Sequence, residues 1–430
     1  MRGSSRLPDG TRVLDAIGIG VLTKTYPPGK IREVLATTKK ASQRQRALPA
    51  HVTVYYVLAL TLCMHMGSQE VLRWLLQGIG WLLHPQEMKA ASKSGITQAR
   101  QRLGWEPLQR LYQEVVQPIA QTETRGAWYR RWRLVTLDGS TLEVADTPEN
   151  EQAWGRPGAS RGAAANPMLR FVALLENGTH VFFASEVGGY GSAEVRLAQP
   201  VLKSLQPGML CLADREFLGY RLWQLACAQG ADLLWRAKKN LRLECVQRLP
   251  DGSYLSELYP SAKDRRRKSH GLRVRVIEYR LHGVANSEAF YRLLTTILDP
   301  EHAPAQEMAA LYHERWEIET TLSEFKVRLR GARMVLRSKT PDLVRQEFYG
   351  FLLTHFAIRG LMHEAALGAD EDPDRLSFVH AVRVIRRHVQ DFAISPQRRT
   401  SRIASSRVAG NPANSSQQQP WSSRPAWSEA

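Results

Sequence analysis

The sequence predicts an α/β protein: a mixed sheet preceded by an all-helical N-terminal region and interrupted by a β-rich insertion. Three observations lead there. Apolar residues recur at helical spacing to about residue 120, short apolar runs bounded by turn residues replace them from Trp132, and helical spacing returns after Pro304. A chain of 430 residues has room for two or three cores. The patterns divide it into a helical N-terminal domain (1–125), the first part of an α/β core (126–237), a β-rich insertion (238–303), the second part of the core with C-terminal helices (304–392) and a tail (393–430).

In the N-terminal region, Ile31–Ala36, Val52–Met66 and Glu70–Leu76 carry helical periodicity, separated by the basic stretch Lys39–Arg46 and by Pro49. Ser94–Gly104 reads as a short helix with Gln98, Arg100, Gln101 and Arg102 exposed, which suits either a helix entering a DNA groove or a solvated basic helix. From Trp132 the strands begin. Arg133–Leu137 is an apolar run ending in Asp138-Gly139, and Met168–Leu175 and Thr179–Val187 flank the hairpin signal Asn177-Gly178. Ser192–Leu205 is amphipathic, Met209–Ala213 is a short buried strand ending at Asp214, Leu218–Gln229 is helical and Ala231–Arg236 is a strand. Three strands, helix, strand, helix, strand is the order of a ribonuclease-H-like fold, in which an antiparallel trio leads into a parallel edge. The insertion contributes strands at Leu241–Leu249, Leu272–Tyr279 and Phe290–Leu298, with the basic cluster Asp264–Lys268 among them. Pro304 opens a helix running to about Arg330, and further helices cover Leu343–Ala366 and Leu376–Asp391. The tail, rich in Ser, Gln, Pro and Arg, has little to bury and is expected to be disordered.

Composition narrows the function classes. Apolar (43%) and charged (23%) contents are those of a globular protein, but 59 Lys+Arg against 41 Asp+Glu leaves a net charge of +18. Such an excess favours polyanions, since each neutralised phosphate releases a counterion, although a merely basic soluble protein shares it. Cys63, Cys211, Cys227 and Cys245 form no CxxC pair and read as reduced core residues, which argues against disulfide staples and zinc. The start lacks a signal-peptide pattern, and the greasiest segment, Val52–Met66, is too short to span a bilayer, so the expectation is a cytoplasmic, nucleoid-associated protein without membrane contact.

Asp138 and Asp214 each stand at the carboxyl end of a buried strand, where ligand sites of α/β sheets gather; either alone would equally serve a turn. The helix Ala309–Arg330 supplies a third acid. At about 100° per residue from Tyr312, Arg315 falls near 300°, Glu319 near 340° and Lys326 near 320°, one stripe about 60° wide beside the apolar face. Glu317 and Glu324 fall on the opposite side, so geometry selects Glu319, although an exposed Arg315–Glu319 ion pair would give the same spacing. Three converging carboxylates repel unless a cation compensates them, and hard oxygen ligands without His or Cys suit Mg²⁺ or Mn²⁺. Two such ions serve in-line displacement at phosphorus, with Arg315 and Lys326 neutralising phosphate oxygens and Tyr312 donating a hydrogen bond to one.

The spacing Tyr312-x2-Arg315-x3-Glu319-x6-Lys326 resembles the Tyr–Arg–Glu–Lys signature of the bacterial insertion-sequence-four family of DDE transposases. Leu137-Asp138-Gly139-Ser140, Ala213-Asp214-Arg215-Glu216-Phe217 and Arg315-Trp316-Glu317-Ile318-Glu319 are similar to the surroundings of that family's acids. The resemblance implies a ribonuclease-H-like catalytic core, an N-terminal domain that binds DNA, two Mg²⁺ or Mn²⁺ ions on Asp138, Asp214 and Glu319, and cut-and-paste transposition. It also implies double-stranded DNA partners, transposon ends and target, held by a homodimer on synapsis. Members stack a flipped base on an aromatic of the insertion; Phe290 and Tyr291 are the nearest here, and core packing serves them as well. Arg265, Arg266, Arg267 and Lys268 would lie near DNA or form a solvated loop. Two other outcomes stay open: a metal-dependent nuclease on the same fold, and a catalytically silent transposase-derived DNA-binding protein, against which the intact acidic trio argues.

Overall fold

The computed structural model describes residues 19–44, 46, 48–79, 91–158, 166–281, 290–324, 335–391 and 427–429. Its N-terminal region is helical: α1 (Ile19–Thr25), α2 (Pro28–Thr37), α3 (Ala50–Leu62), α4 (Ser68–Ile79), α5 (Lys93–Leu103) and α6 (Glu106–Val115). Helix α3 is buried at every position from Val52 to Leu62, which explains its unbroken apolar run. Each large apolar side chain removed from water in this way contributes about 1.5–3 kcal/mol. The described helices include none long and apolar enough to cross a membrane.

The strands are β1 (Trp128–Tyr129), β2 (Trp132–Glu143), β3 (Met168–Glu176), β4 (Val181–Gly189), β5 (Met209–Ala213) and β6 (Asp232–Arg236), with α7 (Pro148–Trp154), α8 (Glu194–Leu202) and α9 (Tyr220–Cys227) between them. β2, β3 and β4 are antiparallel, while β2, β5 and β6 are parallel. The order β4-β3-β2-β5-β6 is the ribonuclease-H-like arrangement expected from the sequence. Strand β5 is covered on both faces: Cys211 and Ala213 join one core cluster and Leu210 and Leu212 another. A parallel strand buried on both sides reads as continuously apolar, as MLCLA does.

The insertion holds β7 (Gln247–Arg248), β8 (Tyr254–Leu258), α10 (Ala262–Arg267), β9 (Leu272–Leu281) and β10 (Tyr291–Thr295). Its strands extend the same sheet, β10 pairing antiparallel with β6 and the order continuing β9-β8-β7. The strand expected over Leu241–Leu249 shrinks to β7 alone, because only this stretch finds a partner, in β8. Tail residues Trp427–Glu429 form β11 against β9, and the other tail positions lie outside the described residues.

The helix expected from Pro304 to about Arg330 is not continuous. It comprises α11 (Ala305–Leu311), a 3₁₀ segment (Tyr312–Trp316) and α12 (Glu317–Ser323), with 325–330 outside the described residues. Helices α13 (Pro341–Ala369) and α14 (Phe378–Asp391) follow. The N-terminal helices pack directly on α13. Gly350 lets α3 approach, since a Cβ there would lie 2.9 Å from Val57 Cγ1, and the Thr61 and Thr354 hydroxyls hydrogen-bond at 2.7 Å across the contact.

Two surface expectations are corrected. Arg100, expected to be exposed on α5, turns inward and donates to Gln346 Oε1 (2.8 Å) and Ser338 Oγ (2.9 Å), tying α5 to the C-terminal part. Cysteines were expected in the core; Cys63 and Cys211 are there, Cys227 is half-buried and Cys245 is exposed, on a segment without strand cover.

Candidate active site

Strands β2 and β5 place the two aspartates side by side. Their parallel register pairs Leu137 with Ala213, so the next residues, Asp138 and Asp214, emerge together at one end of the sheet. Burial is complete from Leu134 to Leu137 and relaxes at Asp138, which leaves both carboxylates half-buried. Each is oriented by a local backbone donor: Asp138 Oδ1 accepts from Gly139 N and Asp214 Oδ1 from Glu216 N, both at 2.7 Å. Burial pushes Asp138 up to about 6; Gly139 and Arg315 oppose this, and the charges of Asp214 and Glu194 add to it.

The segment Tyr312–Trp316 crosses this sheet end. In a 3₁₀ turn residues i and i+3 eclipse, so Tyr312 and Arg315 share one face more closely than an α-helix would allow. Tyr312 is buried, and its hydroxyl donates to the Ala213 carbonyl (3.2 Å), one residue before Asp214. The hydroxyl expected to reach a phosphate ties the helix to the strand end in this structure. Arg315 lies between the acids, with Nη1 3.5 Å from Asp138 Oδ2 and Nη2 3.5 Å from Glu319 Oε1. Burial works against its charge, but Tyr312, Asp138, Asp214 and Glu319 together raise its pKa. Its Nε is buried and has no hydrogen-bond partner among the described residues. Glu319 itself is exposed on α12. Asp138, Asp214, Tyr312, Arg315 and Glu319 are therefore brought together, and Lys326 lies outside the described residues.

The donor set fits hard divalent cations: carboxylate oxygens alone, one of them disfavoured as an anion by burial and by neighbouring negative charge. The single positive group described among these acids is a guanidinium, which cannot lose its proton to relieve them. Basic residues flank the site. Lys238 pairs with Glu216 at 2.8 Å, and Lys238, Arg242 and Arg265 line an open hollow of about 340 Å³ beside Leu218 and Leu241. Arg266, Arg267 and Lys268 are exposed at the end of α10. Tyr291 stacks on Tyr279 (centroids 5.3 Å apart), and Arg292 lies over Phe290.

The far side of α12 was not foreseen. Glu317 and Glu324, placed opposite the site by helical phase, are buried, not solvated. Glu317 Oε2 accepts from Gly178 N at 2.7 Å and lies 3.6 Å from His180 Nε2, which is 2.9 Å from Asp374 Oδ1. Glu324 pairs with Arg359, whose Nη2 lies 2.6 Å from His180 Nδ1. Burial first, then the Asp374 charge, pushes Glu317 up to about 7, while burial of Glu324 is overcome chiefly by the Arg359 charge, which holds it down to about 2. Among the described residues, His180, Glu317 and Asp374 are the group of potential ligands with all donor atoms within 4.8 Å; the front trio is wider, with Arg315 between its members. No local sequence signal marks this cluster: Asn177-Gly178 announces only the hairpin turn, and the partners lie far off in sequence.

A mixed sheet presenting two aspartates beside a helix glutamate is the framework of a DDE transposase. Residues 132–356 match the family described as transposase DDE domain, and residues 16–113 the one described as insertion element 4 transposase N-terminal. The chain belongs to the insertion element 4 family of DDE transposases. It is 29% identical over 366 residues to the transposase InsG for insertion sequence element IS4 of Escherichia coli (strain K12), covering 84% of this chain and 80% of that one. It is 26% identical over 226 residues to the putative transposase InsZ of the same strain, covering 51% and 72%. A piggyBac transposase synaptic complex with hairpin DNA superposes with a TM-score of 0.41 at 8% identity, over 90% of this chain and 80% of that one.

Proposed function

We propose that this DNA transposase cuts at the ends of its insertion sequence and joins them to target DNA, with Asp138, Asp214 and Glu319 as the carboxylates that hold two Mg²⁺ or Mn²⁺ ions. The observation that carries the reading is the emergence of Asp138 and Asp214 from adjacent parallel strands, with Arg315 joining Asp138 to Glu319. Bound there, the ions would activate a water or a 3′-hydroxyl and stabilise the leaving 3′ oxygen. The chain's own groups do the rest. Asp138 and Asp214 are oriented by Gly139 N and Glu216 N. Arg315 sits between Asp138 and Glu319 with Nη atoms 3.5 Å from each, and its guanidinium edge at the sheet end suits a phosphate oxygen. Tyr312 fixes the helix to the strand end, and Lys326, seven residues beyond Glu319, is proposed as a second phosphate contact.

Transposon ends would lie along the basic residues of the insertion and the N-terminal helices. On α5, Lys93, Thr97, Gln98, Gln101 and Arg102 are exposed on one face, and Arg102 shares a hollow of about 180 Å³ with Lys39, Lys40 and Arg46. Two copies, one per end, would form the synaptic complex, in the compartment that contains the DNA.

Labelled transposon-end DNA with target plasmid and Mg²⁺ tests the reading. Joined end–target products are expected from the unmodified protein and neither cuts nor joints from Glu319→Gln, which removes a charge and little surface. Nicks without joints would make the protein a nuclease, and unchanged cutting by the variant would remove Glu319 from the ligand set.

A further inference from the structure

We propose that His180, Asp374 and Arg359 are positioning residues: an anchor behind α12 that holds Glu319 toward Asp138 and Asp214. The inference rests on the reading of Glu319 as a metal ligand. Helix α12 begins from a 3₁₀ turn, so its orientation is not fixed by continuity with α11. On its front, Glu319 has a long contact to Arg315 at 3.5 Å. The directional bonds lie behind. Glu317, two residues earlier, accepts from Gly178 N; Asn177 Nδ2 donates to the Glu314 carbonyl at 3.0 Å; Glu324 is held by Arg359.

These contacts end on rigid backbone. Gly178 has φ +76, and a Cβ there would lie 2.6 Å from Arg125 O and 2.7 Å from Ala127 N, so the turn is pressed against the chain entering β1. His180, also left-handed at φ +59, closes the turn. Against burial and Arg359, Asp374 and Glu317 pull its pKa well above the usual imidazole value, yet the guanidinium 2.6 Å away leaves no room for a proton on Nδ1. A guanidinium has no lone pair to offer, so at 2.6 Å it makes Nδ1 the acceptor and leaves the proton on Nε2, facing Asp374. The same argument removes a metal from this cluster, since Nε2 then has no free pair. Arg359 and Asp374 flank His180 behind Glu317, the Nε2–Asp374 approach being a close charged contact without hydrogen-bond geometry, and polar contacts of this kind favour one register where apolar packing would permit sliding.

Full-length protein bound to end DNA tests the proposal with two variants. His180→Asn removes the ring while tolerating the left-handed backbone, and Asp374→Asn keeps shape at a partly exposed position. Mn²⁺ binding, read by paramagnetic resonance of the free ion, is expected to weaken about tenfold, the size typical of lost outer-sphere support. The Mg²⁺ needed for half-maximal cleavage rises correspondingly, and saturating Mn²⁺, less demanding of ideal geometry, restores the rate. End-DNA affinity stays near that of the unmodified protein; the melting temperature falls for His180→Asn, whose buried partner Arg359 loses its acceptor, and stays near for the partly exposed Asp374→Asn. Unaltered Mn²⁺ affinity and Mg²⁺ dependence in both variants would overturn the proposal, as would loss of end binding in step with cleavage. Glu319→Gln run in parallel separates the two levels. If it cuts normally, the ligand assignment itself has failed; if it is silent while both anchor variants bind Mn²⁺ normally, the anchor alone has failed.

Discussion

Asp138→Asn should make the metal-free protein more stable at neutral pH. The folded state raises this carboxyl from 3.8 to about 6, so it holds the proton more tightly than the unfolded chain does. Stability from this source is present at low pH and is lost as pH rises from about 4 through 6, where the folded protein must carry a poorly solvated anion. A gap of roughly two pH units corresponds to at most about 3 kcal/mol. The side chain is 20% exposed and keeps Arg315 nearby, so about 1–2 kcal/mol is the realistic size. Asparagine imitates the neutral acid and still accepts from Gly139 N. Thermal unfolding in EDTA from pH 4 to 8 should show the variant melting a few degrees higher at pH 7–8, with the difference closing near pH 4. Added Mg²⁺ should stabilise the unmodified protein and not the variant. A variant less stable at pH 7, by an amount independent of pH, would mean that Asp138 is not destabilised as an anion in the folded protein.

Tyr312→Phe removes the bond to Ala213 O, which should cost about 1 kcal/mol of stability and slow single-turnover cleavage while leaving end binding intact; equal cleavage rates would remove Tyr312 from the positioning of Glu319. Arg315→Ala should weaken the end complex and flatten its salt dependence by about one phosphate contact, and an unchanged slope in mobility-shift titrations would deny it that contact. Gly350→Val forces carbon into a gap where Val57 Cγ1 already lies 2.9 Å from a Cβ position, so calorimetry should show a loss of about 1–3 kcal/mol, through the α3–α13 contact and without altered metal affinity.

The positions of Asp138 and Asp214 were legible because two local signals coincide at each: a short apolar run, then an acid with a turn former. The placement of Glu319 beside Arg315 was legible from the four-residue spacing. Helical phase alone pointed the right way even though the helix is broken at Tyr312–Trp316, because the stripe from Arg315 to Glu319 spans one turn either way. Phase failed behind the helix. Glu317 and Glu324 look like solvated charges until their partners are known, and those partners, His180, Arg359 and Asp374, are supplied by a hairpin turn and by the C-terminal helical region, far off in sequence. Arg100 misled for the same reason: its acceptors, Gln346 and Ser338, lie some 240 residues away. The strand β8 was missed because its residues Tyr254–Leu258 follow a turn with no alternation, and only pairing with β9 and β7 makes it a strand.

Counting bound Mn²⁺ on the complex of the protein with uncleavable end DNA tests the acidic centre most directly. Two ions are expected for the unmodified chain, with occupancy lost in Asp138→Asn, Asp214→Asn and Glu319→Gln alike. Full occupancy in any one of these variants would contradict a shared centre and exclude that residue from it.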